Sequence, residues 1–317
     1  MSPEVLRPDA VARAAAVLTA GGLVAFPTET VYGLGADAFR DGSVRRIFRT
    51  KGRPADNPLI VHLADADDLP RVAATVPALA RELVDAYWPG PLTLVLDARD
   101  DVPSATTGGL RTVAVRVPDH PLAQALLAAA DVPVAAPSAN RSGRPSPTTA
   151  QHVLADLGDA VDVVLDGGPC RVGVESTVVD VRGPSPVVLR EGSVTREQLG
   201  VALDGTGGDP AASPGTRYRH YAPTCRVLPS PPGELPDTVA RLLAAGGAVG
   251  TVTSTVTAPS GAVVVARFDD AAGLAAVLYR ALRDAEDAGV DVLVVEEVAG
   301  TGVGRAVMDR LRRAATP

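Results

Sequence analysis

Apolar positions in the first two-thirds of the chain come in short blocks, and the spacing around them switches repeatedly between the periods of helix and strand. PDAVARAAAVLTA, from Pro8, has helical spacing and stops at Gly21-Gly22; LVAF, Leu23 to Phe26, is then a short buried strand. PTETVYGLGADAF reads as a loop leading into a helix around Val44 to Arg49. A strand over LIVHL, Leu59 to Leu63, is followed by helices through Ala86. TLVLD and TVAVRV read as strands, HPLAQALLAAA as a helix and PVAA, Pro133 to Ala136, as a buried strand. DVVLDGG, STVVDV and PVVLR add further strands. This mixture predicts an α/β fold on a large, twisted, mixed sheet.

The pattern breaks near Leu203. DGTGGDPAASPGT is rich in Gly, Pro, Ala and Ser, the character of a linker. Beyond it, VARLLAAGG, AVGTVTS, AVVVARF, AAGLAAVLYRALRDAEDAG, DVLVVEE and GRAVMDRLRRAA alternate helix and strand. That predicts a smaller, Rossmann-like α/β domain. We therefore expect domains at 8–203 and 225–317 with a linker at 204–224, and a chain of 317 residues is long for one core.

Composition narrows the class. Hydrophobic residues make up 46% and charged residues 21%, which is globular rather than disordered. No apolar run is long enough to span a bilayer, and MSPEVLRPDA lacks the apolar core of a signal peptide. The two cysteines, Cys170 and Cys225, are far apart, which excludes a disulfide scaffold and a cysteine zinc site. A cytoplasmic protein with reduced thiols is the expectation.

The net charge of −7 does not advertise nucleic-acid binding. Its distribution says more. Arg40, Arg45, Arg46, Arg49, Lys51 and Arg53 face only Asp41 and Asp56 in one stretch, and Arg217, Arg219 and Arg226 lie in another without acids. Local anion sites or solvated helix faces would both look like this. Lys51 is the single lysine among 30 basic residues, which fits a compact, mobile point charge on phosphate or simple chance.

Four segments carry candidate chemistry. PTETVYGLGADA follows a buried strand and offers Thr28, Thr30 and Tyr32 hydroxyls, with Gly33 and Gly35 permitting close backbone approach; strand ends are where α/β sheets bind ligands. KGRPADNPLIVHL displays Lys51 and Arg53 in a Gly/Pro-fixed turn suited to polyphosphate, followed by Asn57. His62, inside its strand, is either a packed core residue or a functional one. Arg116 sits within the apolar strand TVAVRVP and needs an anion, which a structural Asp or Glu or a substrate carboxylate could equally supply. PVAAPSANRSGRPSPT places Ser138, Asn140, Ser142 and Ser146 in a proline-punctuated loop suited to phosphate and nucleoside contacts. Glu175, Ser176, Thr177 and Arg190 are weaker signals. GTGVG, Gly300 to Gly304, resembles part of a dinucleotide fingerprint, but the chain ends too soon for its acidic ribose partner.

In this order, PTETVYGLGADA, KGRPADNPLIVH, WPGPLTLVL, TVAVRVP, AAPSANRSGRPSPT, DGGP, GVESTVVDV and VLREG closely resemble the YrdC-like domain family. SPGTRYRHYAP and the α/β tail are similar to its long, two-domain threonylcarbamoyl-AMP synthases. The resemblance implies condensation of L-threonine, bicarbonate and ATP to threonylcarbamoyl-AMP and pyrophosphate, with Mg2+ carried by the phosphates. A separate downstream threonylcarbamoyl transferase would then modify a tRNA adenosine beside the anticodon, so tRNA is only an indirect partner. By family match, threonine would contact Thr30, His62, Arg116, the Ala136 backbone and Ser176. ATP would contact Lys51, Arg53, Asn57, Thr112, Ser138, Asn140, Ser146, Arg190 and Tyr218. An RNA-binding module is the rival from another class. A carbamoyl transferase of hydrogenase maturation shares the domain type, but resembles a longer array with cysteine-paired zinc fingers. The stiff, aromatic and basic linker SPGTRYRHYAP predicts a lid over the nucleotide.

Overall fold

Gly21 and Gly22 do end the first helix. Their N–H groups return to Leu18 and Val17, and the positive φ of Gly21, 90°, turns the chain directly into a strand. A computed structural model describes residues 3–200, 212–213, 221–254 and 259–316. The elements begin β1 (Glu4–Leu6), α1 (Val11–Thr19), β2 (Val24–Phe26), β3 (Gly33–Asp37), α2 (Asp41–Lys51), β4 (Ile60–His62), α3 (Ala78–Tyr87) and β5 (Leu92–Asp97). They continue with α4 (Ser104–Thr107), β6 (Thr112–Arg116), α5 (Pro121–Ala130), β7 (Val134–Ala135), α6 (Ala150–Leu157), β8 (Val163–Leu165), β9 (Thr177–Asp180) and β10 (Val187–Arg190). These strands form one ten-stranded sheet in the order β1-β8-β2-β3-β7-β4-β6-β5-β9-β10. Parallel and antiparallel pairs alternate irregularly, so the sheet is mixed.

Two differences from the sequence reading stand out. Strand β1 lies ahead of residue 8 and joins the sheet beside β8. PTETVYGLGADAF is also not loop throughout, because Gly33–Asp37 is a strand between β2 and β7. Its glycines conceal it by removing the side chains that mark a strand. Packing demands them: a Cβ on Gly35 would sit 2.8 Å from Val134 Cγ1 and 2.9 Å from Phe26 Cε1. The close approach is therefore of neighbouring strands, not of a ligand.

Helices α1 and α5 cover part of one face, where Leu18, Phe26, Leu126 and Leu165 form a core. His62 pairs with Val134 on one side and Arg116 on the other, so this face continues across β4 and β6. There Ile60, Ala114, Val95 and Val178 make an apolar floor beside the charged and polar side chains. The opposite face packs on the main core, including Leu34, Ile47, Leu83, Leu94 and Val115.

The described residues from 221 onward, with 143–145 and 172–174, cluster as a second unit. It contains β11 (Arg226–Ser230), α7 (Leu235–Ala244), β12 (Val249–Thr253), β13 (Val263–Arg267), α8 (Ala271–Asp287), β14 (Val292–Glu296) and α9 (Val303–Ala315). Its four strands are all parallel, in the order β11-β14-β12-β13. Tyr221 stacks at 5.2 Å on Tyr279, with the Arg310 guanidinium 5.9 Å over its ring. No helix among the described residues is long and apolar enough to cross a membrane.

Candidate active site

The turn after β2 is built by one hydroxyl. Thr28 Oγ1 accepts the N–H groups of Thr30 and Val31, both at 3.2 Å, and donates to Val31 O at 2.7 Å. This Ser/Thr-type turn buries Glu29 and Thr30, each 1% exposed. Thr30 Oγ1 accepts from Arg116 Nη1 at 3.0 Å, and Arg116 Nε donates to Gly90 O at 3.0 Å. Arg116 Nη2 lies 2.6 Å from Glu29 Oε1. The buried arginine thus has a protein carboxylate beside it, the structural alternative left open by the sequence. The pair is close but misaligned. Among the described residues, neither Glu29 oxygen nor Arg116 Nη2 completes a directed hydrogen bond.

His62 stands beside Arg116 across the β4–β6 ladder. Its Nδ1 faces Ile60 O at 3.2 Å, and its ring meets Phe26 edge-on at 6.0 Å. Burial, then the Arg116 charge, push its pKa down to about 3, so the ring is neutral near pH 7. Ala136 adjoins this group, its N–H donating to Ile60 O at 2.9 Å. Ser176 directly precedes β9, two strands beyond β6, its hydroxyl paired with Thr93 Oγ1 at 2.8 Å and receiving Arg190 Nη2 at 3.0 Å. Arg190 also donates to Ser176 O from Nε and Nη2, so it clamps the residue. Gly192 permits that clamp, because a Cβ there would strike the Ser176–Thr177 backbone.

The cationic turn differs from its sequence reading. Lys51 ends α2, where Gly52 takes the left-handed conformation that terminates a helix. Lys51 is 4% exposed, and its ammonium is held rather than mobile. It donates to Ser138 O at 2.6 Å, to Asn140 O, and more weakly to Asn140 Oδ1 at 3.4 Å. Burial and the neighbouring Arg53 charge press its pKa well below the lysine range, whereas Asp156 raises it. Three acceptors call for three N–H donors, so the geometry favours the ammonium. Ser138 Oγ donates to Asn140 Oδ1 at 2.6 Å, which completes a Lys51–Ser138–Asn140 unit. Arg53 braces its own turn through Asn57 O and Pro58 O. Asn57 is buried, and its Nδ2 has no hydrogen-bond acceptor among the described residues.

The remaining positions scatter more. Ser146 Oγ donates to Glu175 Oε1 at 2.6 Å. Thr112 shares the site face with Arg116 but lies at the other end of β6, about 13 Å along the strand. Tyr32 is a brace: its hydroxyl donates to Gly168 O at 2.7 Å and accepts from Gly167 N. Tyr218, with Arg217, Arg219 and His220, lies outside the described residues. Ala212, within the expected linker, is 3% exposed and packs on the floor formed by Ile60, Val95, Ala114 and Val178. Among the described residues, no group of three His, Cys, Asp or Glu side chains could hold a metal ion.

Sequence reasoning gave Glu29 no role. A signal was available, since an arginine inside an apolar strand requires a carboxylate, and Glu29 is the first acid of a segment that begins directly after a buried strand.

Comparison with known proteins agrees with this architecture. Residues 16–192 match the family described as "Telomere recombination", and residues 194–316 match "Threonylcarbamoyl-AMP synthase, C-terminal domain". The chain is 43% identical to the threonylcarbamoyl-AMP synthase of Pyrococcus abyssi, with 95% of this chain and 92% of that protein covered. It is 42% identical to that of Bacillus subtilis, with 96% and 92% covered. The crystal structure of P. abyssi Sua5 complexed with L-threonine superposes with a TM-score of 0.91 at 42% identity, covering 99% of this chain and 98% of that one. The chain belongs to the threonylcarbamoyl-AMP synthase family.

Proposed function

We propose that this chain condenses L-threonine, bicarbonate and ATP into threonylcarbamoyl-AMP and pyrophosphate, in the cytoplasm. A downstream transferase would consume the product to modify tRNA. The observation that carries this reading is the cluster of Arg116, Thr30, neutral His62 and the Ala136 backbone at one end of the sheet face. Arg116 presents a cation for a substrate carboxylate, while a neutral imidazole and small hydroxyls suit a hydroxylated side chain. Ser176, held by Arg190 and Thr93, adds a further hydroxyl at the same strand ends.

The triphosphate is assigned to the turn of Lys51, Arg53 and Asn57 with Ser138, Asn140, Ser146, Thr112 and Arg190. Lys51 acts from a fixed position. Its longest contact, Asn140 Oδ1 at 3.4 Å, is the one a phosphate oxygen can replace. Asn57 Nδ2 supplies a buried donor with no acceptor among the described residues. Magnesium in this reading arrives on the phosphate oxygens, and no protein residue is assigned to it. Catalysis is then positioning and charge neutralisation, with a carbamate held against the α-phosphate while cations favour pyrophosphate departure. Burial of Ala212 on the site floor supports the linker as a lid that keeps water from a hydrolysable product.

The test is pyrophosphate release with each substrate omitted in turn. Release that needs threonine, bicarbonate and ATP together is expected. Undiminished release without threonine or bicarbonate would mean plain ATP hydrolysis.

A further inference from the structure

Forming a carbamate on an amine requires that the amine be held and then lose protons, and the assignment above supplies no group for either task. Glu29 is 1% exposed beside Arg116, and both of its oxygens lack a directed hydrogen bond among the described residues. Other acids on the adjoining loops are engaged: Glu175 accepts from Ser146 Oγ, Asp166 accepts from Gly168 N at 2.9 Å, and Asp119 pairs with Arg171 at 2.7 Å. A buried carboxylate without donors is costly, and such groups persist where a ligand completes them. The neighbouring cation is incomplete in the same way, since Arg116 Nη2 also lacks an aligned acceptor among the described residues. A carboxylate and a guanidinium edge, side by side and both unsatisfied, match the two charges of an α-amino acid zwitterion.

We propose that Glu29 receives the α-ammonium of the amino-acid substrate, while Arg116 takes its carboxylate, and that Glu29 then accepts the proton released on carbamate formation. This rests on the function proposed above. As the nitrogen attacks bicarbonate, a C–N bond forms and one C–O bond breaks. The departing hydroxyl leaves as water with one ammonium proton. A second proton passes to Glu29, the third stays on the carbamate nitrogen, and no atom changes oxidation state. Glu29 returns its proton to solvent when the product leaves.

The experiment measures binding of L-threonine and of β-hydroxybutyrate, which is threonine without its amine, to the full chain by calorimetry. Wild type should prefer threonine. Glu29→Gln should lose threonine affinity by about 30-fold or more and keep β-hydroxybutyrate within about threefold, because the amide keeps the side chain's shape beside Arg116 and removes the charge that an ammonium needs. Its kcat should fall together with the rise in KM, since an amide cannot take the proton. Glu29→Asp keeps the charge and should recover part of the preference for threonine. Equal loss of both ligands would overturn the proposal in favour of a purely structural partner for Arg116, as would unchanged threonine binding. An unchanged kcat would overturn the proton transfer. Wild type that binds neither ligand would overturn the threonine reading itself.

Discussion

Two glutamates at the carboxyl ends of strands are almost equally buried, yet their surroundings differ. Glu296, closing β14 in the second unit, is 3% exposed and Glu29, after β2 in the first, is 1% exposed. Glu296 accepts from Thr253 Oγ1 at 2.8 Å, Ser254 N at 2.7 Å and Ser254 Oγ at 2.8 Å. Its charge is compensated within its own sheet edge. Glu29 has a cation at 2.6 Å and no aligned donor among the described residues. Burial alone therefore does not mark a functional acid; what distinguishes the two is whether the protein has completed the hydrogen bonding.

The comparison can be broken most severely at Arg116. Arg116→Lys keeps a charge but loses the fork that reaches Gly90 O, Thr30 Oγ1 and Glu29 together. We expect kcat/KM for threonine to fall by roughly 30- to 1000-fold, equivalent to about 2–4 kcal/mol. Steady-state kinetics that match wild type would remove the carboxylate assignment. Lys51→Met comes next, because it leaves the Ser138 and Asn140 carbonyls without their donor. ATP affinity should drop, and stability should fall by about 1–3 kcal/mol, read by nucleotide titration and urea denaturation. Retained ATP affinity would show that the turn is structural alone.

His62 sharpens the electrostatic side. Its folded pKa, near 3, lies below the unfolded value, so the unfolded state binds its proton first as the pH falls. Its stabilising contribution is full above about pH 6.5 and shrinks toward pH 3. Wild type should lose about 2 kcal/mol from this group between about pH 6.5 and pH 5, a loss missing in His62→Gln. Parallel acid profiles for the two proteins would contradict a neutral, buried imidazole. The smallest effect is expected at Glu296. Glu296→Gln should lower stability by about 1–2 kcal/mol while kcat and the KM values for threonine and ATP stay at wild type. A kinetic defect there would blur the distinction between the two acids.

Much of the architecture was legible because apolar periodicity writes it directly: LVAF, LIVHL, TVAVRV and the tail strands β12 to β14 appear close to where they were read. Strand β3 was missed because Gly33 and Gly35 carry no side chain to show a period, and β1 because three residues are too few to register one. Strand β11, RVLPS, went unread for a related reason, its proline arguing against a strand. The polar loops were recognisable by residue type. Their internal wiring was not, since Lys51 bonding to Ser138 and Ser146 bonding to Glu175 join positions far apart in sequence.

The sequence alone determined the two-part α/β plan, the family and the set of polar residues gathered at strand ends, because periodicity and motif order are local or linear properties. Only the tertiary structure decided which charges meet. It set Arg116 against Glu29 rather than leaving it free, and fixed Lys51 under carbonyls instead of letting it range. It also turned Tyr32 inward as a brace. The physical reason is that hydrogen bonding and ion pairing depend on distance and angle between side chains brought together across the sheet, and no spacing along the chain encodes those quantities.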